Sequence, residues 1–238
     1  MILEARNISK SFFNNSGKLD VFSDLSLTIE KKDLITIMGP SGSGKSTLLN
    51  ILGTLEAYDE GTLNINGKEI VKQNNDSLSR IRNEYLGFVF QFHHLIPEFN
   101  SLENVLLPLQ IYTNDLNDSY AKELLQFMGL SNRINHYPSE LSGGERSRVA
   151  VARALVNKPA LVLADEPSGN LDTDNAKKLI KLFEKINKEF EQSIVIATHD
   201  EKIASIGNKK SAGTKLVCLD SFFNNPGVYE LSLIHISE

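Results

Sequence analysis

The chain carries one cysteine, Cys218, in 238 residues. An internal disulfide is therefore excluded, and this usage fits a reducing compartment. Long apolar runs are missing too: none approaches the roughly 18–20 residues that cross a bilayer. Positive charge is in deficit, with 25 Lys and Arg against 30 Asp and Glu and a net charge of −5. Gripping nucleic acid through a broad basic face needs the opposite balance, so no nucleic-acid partner is expected. The opening residues, 1–13, contain Glu4 and no apolar stretch of the kind that makes a secretory signal. Internal repeats and low-complexity tracts are absent. These absences leave the expectation of a soluble, cytoplasmic chain that meets a membrane only through a partner.

What is present is an ordinary globular make-up, 41% hydrophobic and 23% charged. Short runs rich in Ile, Leu and Val at Leu34–Met38, Gly87–Phe90, Leu161–Ala164 and Ile194–Ala197 read as strands buried on both faces, as in a parallel sheet. Val21, Leu25, Leu27 and Ile29 fall at odd positions, and Thr62–Asn66 alternates, which suggests antiparallel strands with one wet face. Helical spacing is clear over Lys45–Leu55, Glu145–Asn157 and Thr173–Phe190, with Asp172 or Thr173 as a cap for the last. From about Phe92 to Asn157 the strand signal disappears. The expected fold is α/β: a mostly parallel core sheet, an antiparallel β subdomain and an inserted helical subdomain. The expected division is a core of 1–91 and 158–220, a helical part of about 92–157, and a tail of 221–238. Lys215–Asp220 and Val228–Leu233 read as a small hairpin around Asn225–Gly227.

Gly39, Pro40, Ser41, Gly42, Ser43, Gly44, Lys45 and Ser46 match G-x-x-x-x-G-K-[ST] between an expected strand and an expected helix. The glycines allow positive φ and let backbone N–H groups close around a phosphate, and the helix that follows favours the same anion. Lys45 can bridge the β- and γ-phosphates, the Ser46 hydroxyl can bind Mg²⁺, and Thr47 adds a donor. A Gly/Ser-rich turn that fits by chance is the bland alternative. The strand-loop-helix context argues against it.

Downstream, Leu161–Ala164 delivers Asp165 and Glu166 at the end of a buried strand, where open α/β sheets bind ligands. Asp165 would hold Mg²⁺ through its water shell, and Glu166 would polarise the water that attacks the γ-phosphate. No N-K-x-D guanine reader is present, which argues against a GTPase. No G-x-S-x-G elbow accompanies Thr198-His199-Asp200, which argues against a hydrolytic triad.

A second anion-ready turn, Leu141-Ser142-Gly143-Gly144-Glu145, opens a helix. A small-molecule kinase has no use for it. With it the chain resembles the ABC ATPases, P-loop NTPases in which this turn is the signature motif. The remaining motifs follow in order over roughly residues 1–205. Gln91 resembles the Q-loop glutamine, which implies a catalytic and Mg²⁺-binding role. Ser168–Asp172 resembles the D-loop, which places Asp172 by the nucleotide. His199 resembles the switch histidine that contacts the γ-phosphate. Phe12 stands where an aromatic residue stacks on adenine. The resemblance implies ATP and Mg²⁺ as ligands and a head-to-tail homodimer. In it, Ser142, Gly143, Gly144 and Glu145 of one copy close over ATP held at 39–47 of the other.

Residues 87–105, 135–140 and 164–172 are most similar to the branch of this family that releases lipoproteins from the inner membrane with integral membrane subunits. The MacB-type and FtsE-type branches, and soluble ABC ATPases outside transport, are the alternatives. Phe92-His93-His94 favours the lipoprotein-releasing branch over the FtsE type. The same stretch invites a metal reading, but adjacent histidines on a loop seldom converge on one ion. A surface that docks a membrane partner's cytoplasmic helix is the better expectation. The resemblance fades after about Ile206, and Leu231–Glu238 reads as foreign to the domain.

Overall fold

A computed structural model describes residues 1–14, 17–70, 75–113, 117–200 and 214–218. The strands are β1 (Leu3–Asn14), β2 (Gly17–Ile29), β3 (Leu34–Met38), β4 (Glu60–Ile65), β5 (Lys68–Glu69), β6 (Leu86–Phe90), β7 (Leu161–Asp165), β8 (Ser193–Thr198) and β9 (Thr214–Cys218), of which β1 and β5 were not expected from the sequence. The helices are α1 (Lys45–Leu52), α2 (Asn75–Tyr85), α3 (Ser101–Thr113), α4 (Ser119–Phe127), α5 (Gly143–Leu155) and α6 (Thr173–Glu189).

Two sheets form. One is antiparallel, in the order β2-β1-β4-β5, and the other runs β6-β7-β8-β3-β9 with every pair parallel. Continuous apolar runs cover both faces of the parallel sheet, and the pleat sends alternate residues to opposite sides. Ile35, Ile37, Leu161, Leu163, Val195 and Ala197 join α1 and the antiparallel sheet in one core. Leu34, Val162, Ala164, Ile194 and Ile196 join α3, α4, α5 and α6 in another. The sheet is therefore the middle layer, and the helices of 101–155 share their apolar cluster with α6.

The antiparallel strands depart from simple alternation. Ile8 pairs with Leu25 and Lys10 with Phe22, with register shifts on either side. These bulges turn the inward set over, so Phe22 is fully buried while Val21 is half-buried. Helix α2 was not expected from the sequence: its apolar stripe is short, Leu78, Ile81 and Tyr85, and of these only Ile81 is fully buried. Strand β9 lies beside β3 in parallel, Leu34 opposite Thr214. The second arm of the expected hairpin, Val228–Leu233, lies outside the described residues, as does all of 219–238.

Gly87 fixes how α5 meets the sheet. A Cβ at this position would lie 2.2 Å from the Ala154 carbonyl oxygen, which is backbone and cannot swing away. Gly87→Ala should therefore cost about 1–3 kcal/mol, the range for overpacking. Urea unfolding of variant and parent checks this, and an unchanged midpoint would refute the close approach.

Candidate active site

Strand β3 ends at Met38 and the chain turns through Gly39–Gly44 into α1. Gly44 caps the helix at φ 87°, and a Cβ there would lie 2.6 Å from Val21 Cγ1. Only glycine meets both conditions. Gly42 is also left-handed, at φ 85°. The Lys45 side chain folds back across the loop. Its Nζ donates to the Gly39 carbonyl at 2.7 Å and to the Pro40 carbonyl at 2.9 Å, and lies 3.9 Å from Glu166 Oε1. A buried ammonium thus stands within a glycine-rich turn that opens a helix. That combination selects a polyanion.

Ser46 Oγ donates to Asp165 Oδ1 at 3.1 Å across the sheet end. A hydroxyl and a carboxylate are hard oxygen donors and suit Mg²⁺. Burial pushes the Asp165 carboxyl above its ordinary value, the Ser46 hydrogen bond opposes that rise, and the neighbouring Glu166 charge reinforces it.

Glu166 has φ 44°, a left-handed conformation that costs free energy in a non-glycine residue and tends to mark functional sites. It is held by its N–H on the Ala197 carbonyl at 2.9 Å and by Gly169 N–H on its own carbonyl at 3.0 Å. Its carboxylate accepts from His199 Nδ1 at 2.8 Å and from Thr198 Oγ1 at 3.3 Å. Because an ionised carboxylate only accepts, the His199 proton sits on Nδ1, leaving Nε2 as the free ring nitrogen. The Glu166 side chain is 14% exposed and that of His199 59%. The imidazole therefore stands at the rim.

Gln91 follows β6 directly, one residue beyond Phe90, which pairs with Asp165. Its amide donates to Asn170 Oδ1 at 3.4 Å, and its carbonyl accepts from Asn170 Nδ2 at 3.1 Å. Among the described residues no hydrogen bond joins Gln91 to Ser46 or Asp165. Gly169 leaves room for the contact, since a Cβ there would meet Gln91 Nε2 at 2.8 Å. Asp172 caps α6, accepting from Asp174 N and Asn175 N at 3.0 Å each and from Asn175 Nδ2 at 2.6 Å. Its carboxylate is committed to its own helix. Phe12 lies in β1 opposite Leu19, with Lys10 Nζ 4.8 Å from its ring centroid, and is 39% exposed. Lys10 in turn pairs with Phe22, whose ring lies near Gly44; among the described residues no hydrogen bond or ring contact joins Phe12 itself to the loop.

Ser142 begins α5 with a reciprocal cap. Its Oγ accepts from Glu145 N at 3.3 Å, and its N–H donates to Glu145 Oε2 at 2.8 Å. Gly144 is pressed against α6, where a Cβ would lie 2.8 Å from Asn175 Oδ1. Among the described residues no hydrogen bond or ion pair links 142–145 to the loop at 39–47. Gly143 and Gly144 face Leu171 and Asn175 instead.

Of the stretch expected to form a docking surface, Phe92 and His94 are exposed and His93 is not. His93 is buried, its Nε2 3.4 Å from Ser147 Oγ of α5, and burial pushes its imidazole below the ordinary value. The His94 ring instead lies 5.1 Å from that of Phe90. Arg153 donates to the carbonyls of His93 at 2.6 Å and His94 at 2.7 Å, which pins the turn to α5. A groove of about 380 Å³ lies alongside, walled by Leu86, Phe90, Leu107, Pro108, Ile111 and Arg153. The sequence reading missed Asn170, Thr198 and Asn175 as contributors. Asn170 stood within the quoted D-loop, but its contact with Gln91 spans 79 residues and carries no local signal.

Residues 22–169 match the family model described as ABC transporter. The lipoprotein-releasing system ATP-binding protein LolD of Cytophaga hutchinsonii is 48% identical over 211 residues, 88% of this chain and 94% of that protein. LolD of Porphyromonas gingivalis is 49% identical over 207 residues, 86% and 93%. Among solved structures, a dimeric bacterial ABC transporter cassette, MJ0796, aligns with TM-score 0.81 at 36% identity, covering 92% of this chain and 94% of that one. The same cassette in a dimeric post-hydrolysis state bound to ADP and Pi aligns with TM-score 0.81 at 34% identity, covering 96% and 100%. Among the described residues no helix is long and apolar enough to cross a membrane.

The Asp165 carboxyl gives a test of the site's electrostatics. A raised folded-state value means that the stability tied to its neutral form is present below the unfolded value of about 3.8 and is lost as pH rises through the folded one. Asp165→Asn should therefore raise the unfolding temperature of the nucleotide-free protein at pH 7. That gain should shrink towards pH 3. Thermal melts across this range check it, and a gain independent of pH would refute it.

Proposed function

The chain belongs to the ABC transporter ATPase family, and on that premise we propose that it is the ATP-hydrolysing subunit of a lipoprotein-releasing complex of the LolCDE type. In this reading two copies pair head to tail on the cytoplasmic face of the inner membrane. They drive integral membrane subunits like LolC and LolE, which move lipoproteins out of the inner membrane toward the outer one. Relatives named LolD, 43–49% identical over most of this chain, support the assignment. The observation that carries the mechanism is that, among the described residues, no hydrogen bond or ion pair joins the 142–145 turn to the 39–47 loop of the same chain.

The 39–47 loop binds the ATP phosphates, and Lys45 exchanges the Gly39 and Pro40 carbonyls for phosphate oxygens, a charge-assisted gain. Ser46 and Asp165 would hold Mg²⁺, which would supply positive charge against the negative charge that develops on the phosphate. Glu166 accepts the proton of the attacking water, kept in place by Thr198 and His199. His199 Nε2 faces the γ-phosphate from the rim. Amides of Gly143 and Gly144 from the second copy close the other side, an arrangement with the logic of an oxyanion hole. Phe12 stacks on adenine, and the groove beside Phe90 receives a cytoplasmic helix of the membrane subunits.

Glu166→Gln should retain ATP binding and lower turnover by about 10²–10⁴-fold, the usual worth of a general base, while a closed dimer accumulates. Phosphate release and size-exclusion chromatography read both, and parent-rate hydrolysis would overturn the base assignment. Ser142→Arg should abolish hydrolysis while leaving monomer ATP affinity nearly intact. A large affinity loss in the monomer would place Ser142 in its own chain's site.

A further inference from the structure

The signature turn is fastened from outside by a residue with no assigned part in the reaction. Arg133 closes a 3-10 turn, Ser131–Arg133, between α4 and α5. Its Nε donates to Glu145 Oε1 at 2.9 Å, and its Nη1 lies 3.3 Å from His136 Nε2. The other Glu145 oxygen accepts from Ser142 N–H. Glu145 N–H is taken in turn by Ser142 Oγ, and Arg146 N–H by the Ser142 carbonyl. Among the described residues the amides at this helix start with no hydrogen bond are those of Gly143 and Gly144. The Glu145 carboxyl is held down to about 2, first by the Ser142 amide and next by Arg133.

We propose that Arg133 is a positioning residue for ATP hydrolysis: it clamps the Glu145 carboxylate so that the Gly143 and Gly144 amides stay aimed at the nucleotide of the second copy. The proposal rests on the composite-site reading above. The clamp is anchored on the far side as well. The His136 carbonyl accepts from both the N–H and the hydroxyl of Ser101, at the start of α3. One turn further, the fully buried Asn104 holds the loop that follows Gln91, accepting from Ile96 N–H and donating to the Ile96 and Phe99 carbonyls. The signature turn is thus referenced to the same segment that borders the partner groove. The Arg133 side chain is 42% exposed, and an ion pair so open contributes little to fold stability. Its effect should therefore appear in dimer closure and not in melting.

The test places Arg133→Ala, Arg133→Gln and Arg133→Lys in the Glu166→Gln background, which traps the ATP-bound dimer. Arg133→Ala and Arg133→Gln should raise the ATP concentration for half-maximal dimerisation about 10-fold, equivalent to about 1.4 kcal/mol. Monomer affinity for a fluorescent ATP analogue and the unfolding temperature should stay near the parent values. Arg133→Lys should recover most of the loss, because it keeps the charge beside Glu145. In a Glu145→Gln background, Arg133→Ala should cost little more, since the two act as one unit. Unchanged dimerisation in Arg133→Ala, an equal loss of monomer affinity, or an undiminished effect beside Glu145→Gln would overturn the proposal alone. Failure of Glu166→Gln itself to dimerise with ATP would overturn the composite-site reading and this proposal with it.

Discussion

Parallel pairing of β3, β8 and β7 is the constraint on which the candidate site depends. Met38 pairs with Thr198, and Asp165 with Ala197, so three chain segments far apart in sequence finish at one edge. The phosphate loop leaves β3, the acid pair leaves β7 and the histidine leaves β8 from that edge. None of these side chains could meet without the shared register. A slip of one residue in β7 would turn Asp165 and every apolar side chain of the strand to the wrong face. Burial on both sides of the sheet makes such a slip costly, so the hydrophobic cores hold the chemistry in register.

The same edge concentrates conformations and charges that an isolated chain would avoid. Glu166 sits at positive φ, Asp165 is a partly buried carboxyl, and Lys45 is a buried ammonium. Each is offset locally. The Ala197 carbonyl and Gly169 amide fix the Glu166 backbone, Ser46 serves Asp165, and two loop carbonyls serve Lys45. Opposite charges 3.9 Å apart, at Lys45 and Glu166, keep the cluster from being either all acid or all base. Such an arrangement is poised for an incoming phosphate, whose oxygens can replace the carbonyls around Lys45 with stronger acceptors.

Much of this was legible in the sequence, for identifiable reasons. The parallel strands announced themselves because burial on both faces leaves unbroken Ile, Leu and Val runs, and the phosphate loop because its backbone needs glycine where it turns. Helix α2 escaped notice because its apolar stripe is short and only Ile81 of it is fully buried. The exchange of Phe22 for Val21 followed from bulges, which are set by pairing between strands and leave no mark in one strand's own alternation. His93 looked like a surface residue because the arginine that draws its turn inward, Arg153, lies 60 positions away. Contacts of that span, like that of Gln91 with Asn170, come from the packed fold.

The contact of Gly87 with Ala154 has a mechanical consequence. With no side chain between them, the end of α5 bears directly on the β6 backbone, metal on metal, without a cushion of flexible atoms. A helix of 13 residues is about 20 Å long, and its far end carries Ser142 to Glu145. A slight rocking at this hard fulcrum therefore swings the distal tip through a much larger arc. In the proposed head-to-tail pair, pressure applied near one molecule's flank would reach its neighbour's catalytic chamber as displacement, with little lost to compression along the way.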